Sequence, residues 1–175
     1  MKTTSKKIVL VGPMGSGKTT IGRHLARELN QDFFDTDHEI VVKTGVTIDH
    51  IFDIEGENGF REREFKILEN LCQMSNIILA TGGGIVILKK NREILKNAGF
   101  VVYLCSSVDQ LLRRTAKSKT RPLLENSTDR RKTITELLEA RDVYYREVAS
   151  VVVSTTGKKL HEIINIIKRE TENVD

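Results

Sequence analysis

The segment Gly12-Pro13-Met14-Gly15-Ser16-Gly17-Lys18-Thr19 limits what this chain can fold into more than any other stretch. It fits G-x-x-x-x-G-K-[ST], the pattern of a loop that wraps phosphate oxygens in backbone N–H groups. Its glycines let the backbone come close without Cβ clashes. Such a loop needs a strand before it and a helix after it. The apolar run Ile8–Val11 and the amphipathic stretch Thr20–Leu29 supply both. The helix start adds its dipole and its free N–H groups. In that geometry Lys18 reaches the β- and γ-phosphates, and the Thr19 hydroxyl joins a Mg²⁺ shell. Gly15, Ser16, Gly17 and Thr20 are the other residues expected to hold the nucleotide. An ordinary glycine-rich turn would explain neither the lysine nor the strand–helix context.

The rest of the chain alternates short apolar runs with amphipathic stretches. Strands are expected at Lys7–Val11, Asp32–Phe34, Asn76–Ala80, Phe100–Cys105 and Val151–Ser154. Helical patterns cover Lys18–Leu29, Gly56–Met74, Lys89–Ala98, Val108–Ala116, Asp129–Val148 and Lys159–Arg169. This alternation implies βαβ units, hence a parallel sheet covered on both faces, a three-layer α/β/α arrangement. Such sheets bind ligands beyond the carboxyl ends of their strands. The 175 residues suit one domain. Two stretches resist the alternation, about 35–61 and the basic, Ser/Thr-rich 117–129. They are read as a substrate-binding segment and a lid.

Composition removes several function classes. No apolar run approaches the roughly 18 residues of a membrane span, and the basic start precedes too short an apolar stretch for a signal peptide. Two distant cysteines, Cys72 and Cys105, argue against a disulfide framework and for the cytoplasm. The histidines show no metal-ligand spacing with them. A net charge of +4 suits nucleic acid or a small anion, but no basic–aromatic platform for single strands is present. No nucleic-acid partner and no membrane are expected, and no long apolar surface demands a dimer, so the expectation is a monomer. A GTPase switch would carry Asn-Lys-x-Asp or Thr-Lys-x-Asp, and neither dipeptide occurs. A nucleic-acid-driven ATPase would end an apolar run in Asp-Glu, whereas the third strand runs into Ala80-Thr81-Gly82. A small-molecule kinase is what remains.

Candidate acceptor-side residues follow from position. Asp35 and Asp37, at the end of the second strand, are expected on one side of an extended chain beside the phosphate loop. Asp35 suits Mg²⁺ and the attacking hydroxyl, and Asp37 suits substrate hydroxyls. The plain alternative is that Asp35 caps the next helix. Arg61 and Arg141 each sit on an apolar helical row, in line with Phe65, Leu68 and Cys72 and with Ile134, Leu138, Tyr145 and Val148. A buried guanidinium must be paired. Binding a substrate anion and forming a structural ion pair, for example Arg61 with Glu64, answer that need equally well. Gly82-Gly83-Gly84 permits close backbone approach to a ligand. Arg121, in the lid segment, would neutralise transition-state charge.

Taken together, these motifs resemble the shikimate kinase family. The resemblance rests on Gly12–Thr19, Phe34-Asp35-Thr36-Asp37, Gly59-Phe60-Arg61-Glu62-Arg63-Glu64, Thr81-Gly82-Gly83-Gly84, Thr120-Arg121-Pro122-Leu123-Leu124 and Arg141-Asp142-Val143-Tyr144-Tyr145, in the family's order. It implies a five-stranded parallel sheet of the P-loop, nucleoside-monophosphate-kinase type. It also implies transfer of a phosphoryl group from ATP, with Mg²⁺, to the 3-hydroxyl of shikimate in aromatic amino-acid synthesis. On that resemblance Lys18, Asp35 and Arg121 are catalytic, with Thr19 and Asp35 at the metal. Asp37 binds shikimate hydroxyls, Arg61 and Arg141 its carboxylate, and Gly83 and Gly84 line its pocket. Arg114 stacks on adenine. The alternatives are a gluconate-type sugar-acid kinase, which would not need Asp37, Arg61 and Arg141 together, and an inactive nucleotide-binding module, which would not need Lys18, Thr19, Asp35 and Arg121.

Overall fold

The structure, a computed structural model, describes residues 6–117, 122–125 and 127–174. A five-stranded sheet runs in the order β2-β3-β1-β4-β5, and every neighbouring pair is parallel. Its strands are β1 Ile8–Val11, β2 Asp32–Asp35, β3 Ile77–Ala80, β4 Phe100–Cys105 and β5 Val151–Ser154. Strands β1 and β3 are buried along their whole length because helices cover both faces of the sheet. The period of two sorts their side chains cleanly. Val9, Val11, Ile77, Leu79, Val101 and Tyr103 face one core, with Leu68 and Tyr145. Ile8, Leu10, Ile78, Val102 and Leu104 face the other, with Ile21, Leu25 and Ile164.

The helices are α1 Lys18–Leu29, α2 Thr36–Thr44, α3 Ile48–Cys72, α4 Lys89–Lys96, α5 Val108–Thr115, α6 Pro122–Glu125, α7 Arg130–Val148 and α8 Leu160–Glu172. The chain goes from β1 outward to β2, returns through β3, and then crosses to β4 on the far side of β1. The strand order therefore reverses at β1, and a crevice opens at its carboxyl end. The phosphate loop lies there. Two corrections to the sequence reading concern 35–61. It is helical, as α2 and the front of α3, and α3 is broken at Gly56, which has φ 70 and ψ −175. The two aspartates are not on one extended segment. Asp35 ends β2, and Asp37 lies in the first turn of α2. Among the described residues no helix is long and apolar enough to cross a membrane.

Candidate active site

A cavity of about 610 Å³ opens over the carboxyl ends of the strands. Its lining brings together Gly15, Gly17, Lys18, Thr19, Thr20, Asp35, Asp37, Arg61, Gly83, Gly84, Arg114 and Arg141, residues expected from sequence in one site. Ser16 is fully buried and is not part of that lining. Arg121 lies outside the described residues, as do 118–120 and 126 of the expected lid; its 122–125 form α6, and Leu123 lines the cavity.

On the phosphate side, Gly17 is the N-cap of α1 with φ 96, a conformation suited to glycine, and no side chain caps the helix. The first N–H groups of α1 are thus left for an anion. Lys18 Nζ donates to the carbonyls of Gly12 (2.7 Å) and Pro13 (2.8 Å) and to Ser16 Oγ (3.4 Å). Its charge is folded against its own loop. Arg114, on α5, donates to Gly15 O at 3.2 Å, and burial lowers its pKa.

Asp35 joins the two halves of the site. Its Oδ1 caps α2, accepting from Asp37 N at 3.0 Å and His38 N at 3.3 Å. Its Oδ2 accepts the Thr19 hydroxyl at 2.7 Å. The capping reading of this residue holds through Oδ1, and Oδ2 is left facing Thr19 at the edge of the cavity. Thr19 Oγ1 and Asp35 Oδ2 make an adjacent pair of hard oxygen donors, the donor type that suits Mg²⁺. Among the described residues no three His, Cys, Asp or Glu side chains converge as a metal cage.

Beyond them lies a buried charge cluster. Arg61 is 6% exposed and pairs with Glu64 (2.8 Å) and Glu57 (3.2 Å). Burial works against the Arg61 charge, but Glu64 and Glu57 outweigh it and raise the pKa. Glu64 is fully buried, and burial pushes its carboxyl up against the pull of Arg61 and Arg141. Asp37 is pushed up to about 7 by burial first, then by Asp35 and Glu64, with Lys18 and Arg61 opposing. Arg141 reaches the same cavity from α7 and is 6% exposed. Arg61 is thus both a member of an ion pair and a cavity residue. Sequence reasoning had weighed Glu64 only as a helix neighbour of Arg61. It did not find the wall built by Val41, Thr47, Ile48, Asp49, Phe52 and Phe60.

The glycine turn closes the floor. A Cβ on Gly84 would lie 2.4 Å from both terminal nitrogens of Arg61, so a larger residue would push that guanidinium out of its present place beside Glu64. Gly82 N donates to Thr36 Oγ1 at 2.9 Å, which fixes the turn to the start of α2.

The sequence model of the shikimate kinase family matches residues 14–172. The chain belongs to the shikimate kinase family. It is 51% identical over 165 residues to the shikimate kinase of Nitrosococcus oceani, covering 93% of this chain and 85% of that protein. It is 47% identical over 167 residues to that of Chromohalobacter salexigens, covering 95% and 92%. Among solved structures, shikimate kinase from Acinetobacter baumannii in complex with shikimate superposes with a TM-score of 0.94 at 45% identity, covering 97% of this chain and 94% of that one. A gluconokinase from Sinorhizobium meliloti reaches a TM-score of 0.58 at 19% identity, a likeness of fold alone.

Proposed function

We propose that this chain transfers the γ-phosphoryl group of ATP to the 3-hydroxyl of shikimate. The observation that carries this reading is the cavity itself. One wall is an anion-binding helix start with Lys18, the other holds Arg61 and Arg141 beside Asp37, and Asp35 stands between them. A phosphate donor and a carboxylate-bearing polyol acceptor are what these two halves suit. The sugar-acid kinase reading loses ground because it has no need of the buried Arg61–Glu64 pair beside Asp37.

The roles follow from charge and reach. Lys18 leaves its loop carbonyls for the β- and γ-phosphates, and the N–H groups of Gly15, Ser16, Gly17, Lys18, Thr19 and Thr20 surround their oxygens. Arg114 would lie against adenine. Arg61 and Arg141 take the substrate carboxylate bidentately, and Asp37 accepts from its hydroxyls. Gly83 and Gly84 let the ring sit against backbone. Asp35 orients the attacking hydroxyl. Thr19 and Asp35 would hold Mg²⁺, which neutralises charge on the transferring group when bound. Arg121 would serve the same charge from the lid at 117–129. We read residues 1–175 as one catalytic domain with a substrate segment at 35–61, monomeric and cytoplasmic. Its exposed large apolar side chains, such as Val42, Ile54 and Val143, are scattered singly along the sequence.

A coupled assay with ATP, Mg²⁺ and shikimate tests the reading. ADP should form at a rate well above the ATP-only background, and gluconate should not replace shikimate. Folded protein that gives no shikimate-dependent ADP would overturn it.

A further inference from the structure

Tyr145 lies on α7, one helical turn beyond Arg141, and is fully buried with its ring 4.9 Å from that of Tyr103. As one of an apolar row it reads as core. Its hydroxyl does something a core residue need not do. It donates to the carbonyl of Gly83, across 62 residues of sequence. The other carbonyls of the turn are taken by backbone: Gly82 O accepts from Ile85 N and Gly84 O from Ile87 N, both at 3.1 Å. The Gly83 carbonyl has the tyrosine instead.

That bond sets the direction of a peptide plane. No peptide here is cis, so the Gly84 N–H points opposite to the Gly83 C=O. A carbonyl held toward α7 turns the N–H away from α7. Gly84 lines the cavity beside the Arg61 guanidinium, and its N–H has no acceptor among the described residues. The Arg141 guanidinium also acts on the Tyr145 hydroxyl, pulling its pKa down while burial pushes it up, to about 12. The phenol therefore stays a neutral donor throughout the working range. A hydroxyl from the helix that carries Arg141 thus reaches the glycine side of the same cavity.

We infer that Tyr145 is a positioning residue for the acceptor: its hydroxyl locks the Gly83–Gly84 peptide and ties it to the helix that carries Arg141. This rests on the proposed shikimate reading. The test is Tyr145→Phe, which removes one oxygen and keeps the ring. Tyr103→Phe is the control, since it removes a hydroxyl from the same ring pair, where it donates to Asp142 at 2.7 Å. With the Gly83–Gly84 peptide no longer held, the KM for shikimate should rise roughly 5–30-fold, about the worth of one hydrogen bond to a charged group, with the KM for ATP within about twofold of wild type. Tyr103→Phe should leave both constants in place, although it also lowers the melting temperature. If both variants lose stability alike and neither moves the shikimate KM, Tyr145 is only a core residue. A Tyr145→Phe protein without a cooperative melt, or equal shifts for both substrates, overturns the inference in the same way. Inactive wild type would instead sink the function reading.

Discussion

Asp37 Oδ1 and Glu64 Oε1 converge on the same point above Gly82. A Cβ placed on that glycine would lie 2.8 Å from the first and 2.9 Å from the second. Both oxygens are buried without a hydrogen-bond partner among the described residues. Two acid oxygens facing one small space cannot both be charged and dry at low cost. The site resolves this with a raised Asp37 and with Arg61 and Arg141 near Glu64.

The first prediction is a pH-dependent stability. The Asp37 carboxyl goes from an ordinary 3.8 to about 7 on folding. Between those values the folded state holds a proton that the unfolded state releases, so stability falls as pH rises through that window and is level above it. Each unit is worth about 1.4 kcal/mol, so the loss is on the order of a few kcal/mol. Asp37→Asn should melt higher than wild type at pH 8, match it near pH 4, and turn over shikimate poorly. Melting curves at both pH values decide it. A constant offset across pH would mean the carboxyl does not carry the proton.

The second concerns Asp35, whose two oxygens do different work. Asparagine is as good an N-cap as aspartate. Asp35→Asn should therefore keep the α2 cap, with a melting temperature within a few degrees of wild type. The charge facing Thr19 is lost, so turnover should fall by about 10²-fold or more and more Mg²⁺ should be needed. Removing the metal with a chelator should abolish turnover in both proteins. An active Asp35→Asn enzyme would reduce Asp35 to a cap.

How much of this was legible in the chain depends on what each residue answers to. Strands β1, β3 and β4 are dry on both faces, so they read as unbroken apolar runs. Arg61 and Arg141 showed themselves as charges where the helical period calls for apolar side chains. Helix α2 and the front of α3 did not show themselves. Asp49, His50, Asp53 and Glu55 crowd the latter, and these segments wall a cavity more than they fill a core, so their periodicity is weak. Tyr145 looked like core because its spacing is that of core. Only the fold brings its hydroxyl to Gly83.

A third prediction separates the two substrates. Arg141 is buried on the acceptor side, and a desolvated arm of a charge pair is worth roughly 2–5 kcal/mol. Arg141→Ala should weaken shikimate binding at least about 30-fold in a calorimetric titration and leave ATP affinity nearly unchanged. Equal losses for both ligands would make Arg141 structural.

The last prediction concerns the break in α3. Gly56, with φ 70 and ψ −175, separates the cavity wall of Thr47, Ile48, Asp49 and Phe52 from Phe60, Arg61 and Glu64. Arg63 spans the break, with its Nε 2.8 Å from Glu55 Oε2 and its NH2 2.5 Å from Glu55 Oε1. Phe52 and Phe60 also meet across it, with centroids 4.9 Å apart. A Cβ on Gly56 meets nothing within 4 Å, so Gly56→Ala probes backbone conformation alone. That conformation is almost closed to other residues and should cost about 1–3 kcal/mol, at 2–4 °C of melting temperature per kcal/mol in a domain of this size. Strain relieved by straightening the helix would swing the wall away from Arg61, raising the KM for shikimate but not that for ATP. Gly45→Ala is the control. It caps α2 at φ 73 and ψ 7 with equally open space, so it strains the chain without redirecting the wall. Its shikimate KM should stay at the wild-type value, and a matching rise in both variants would mean that loss of stability, not the direction of the wall, sets the affinity.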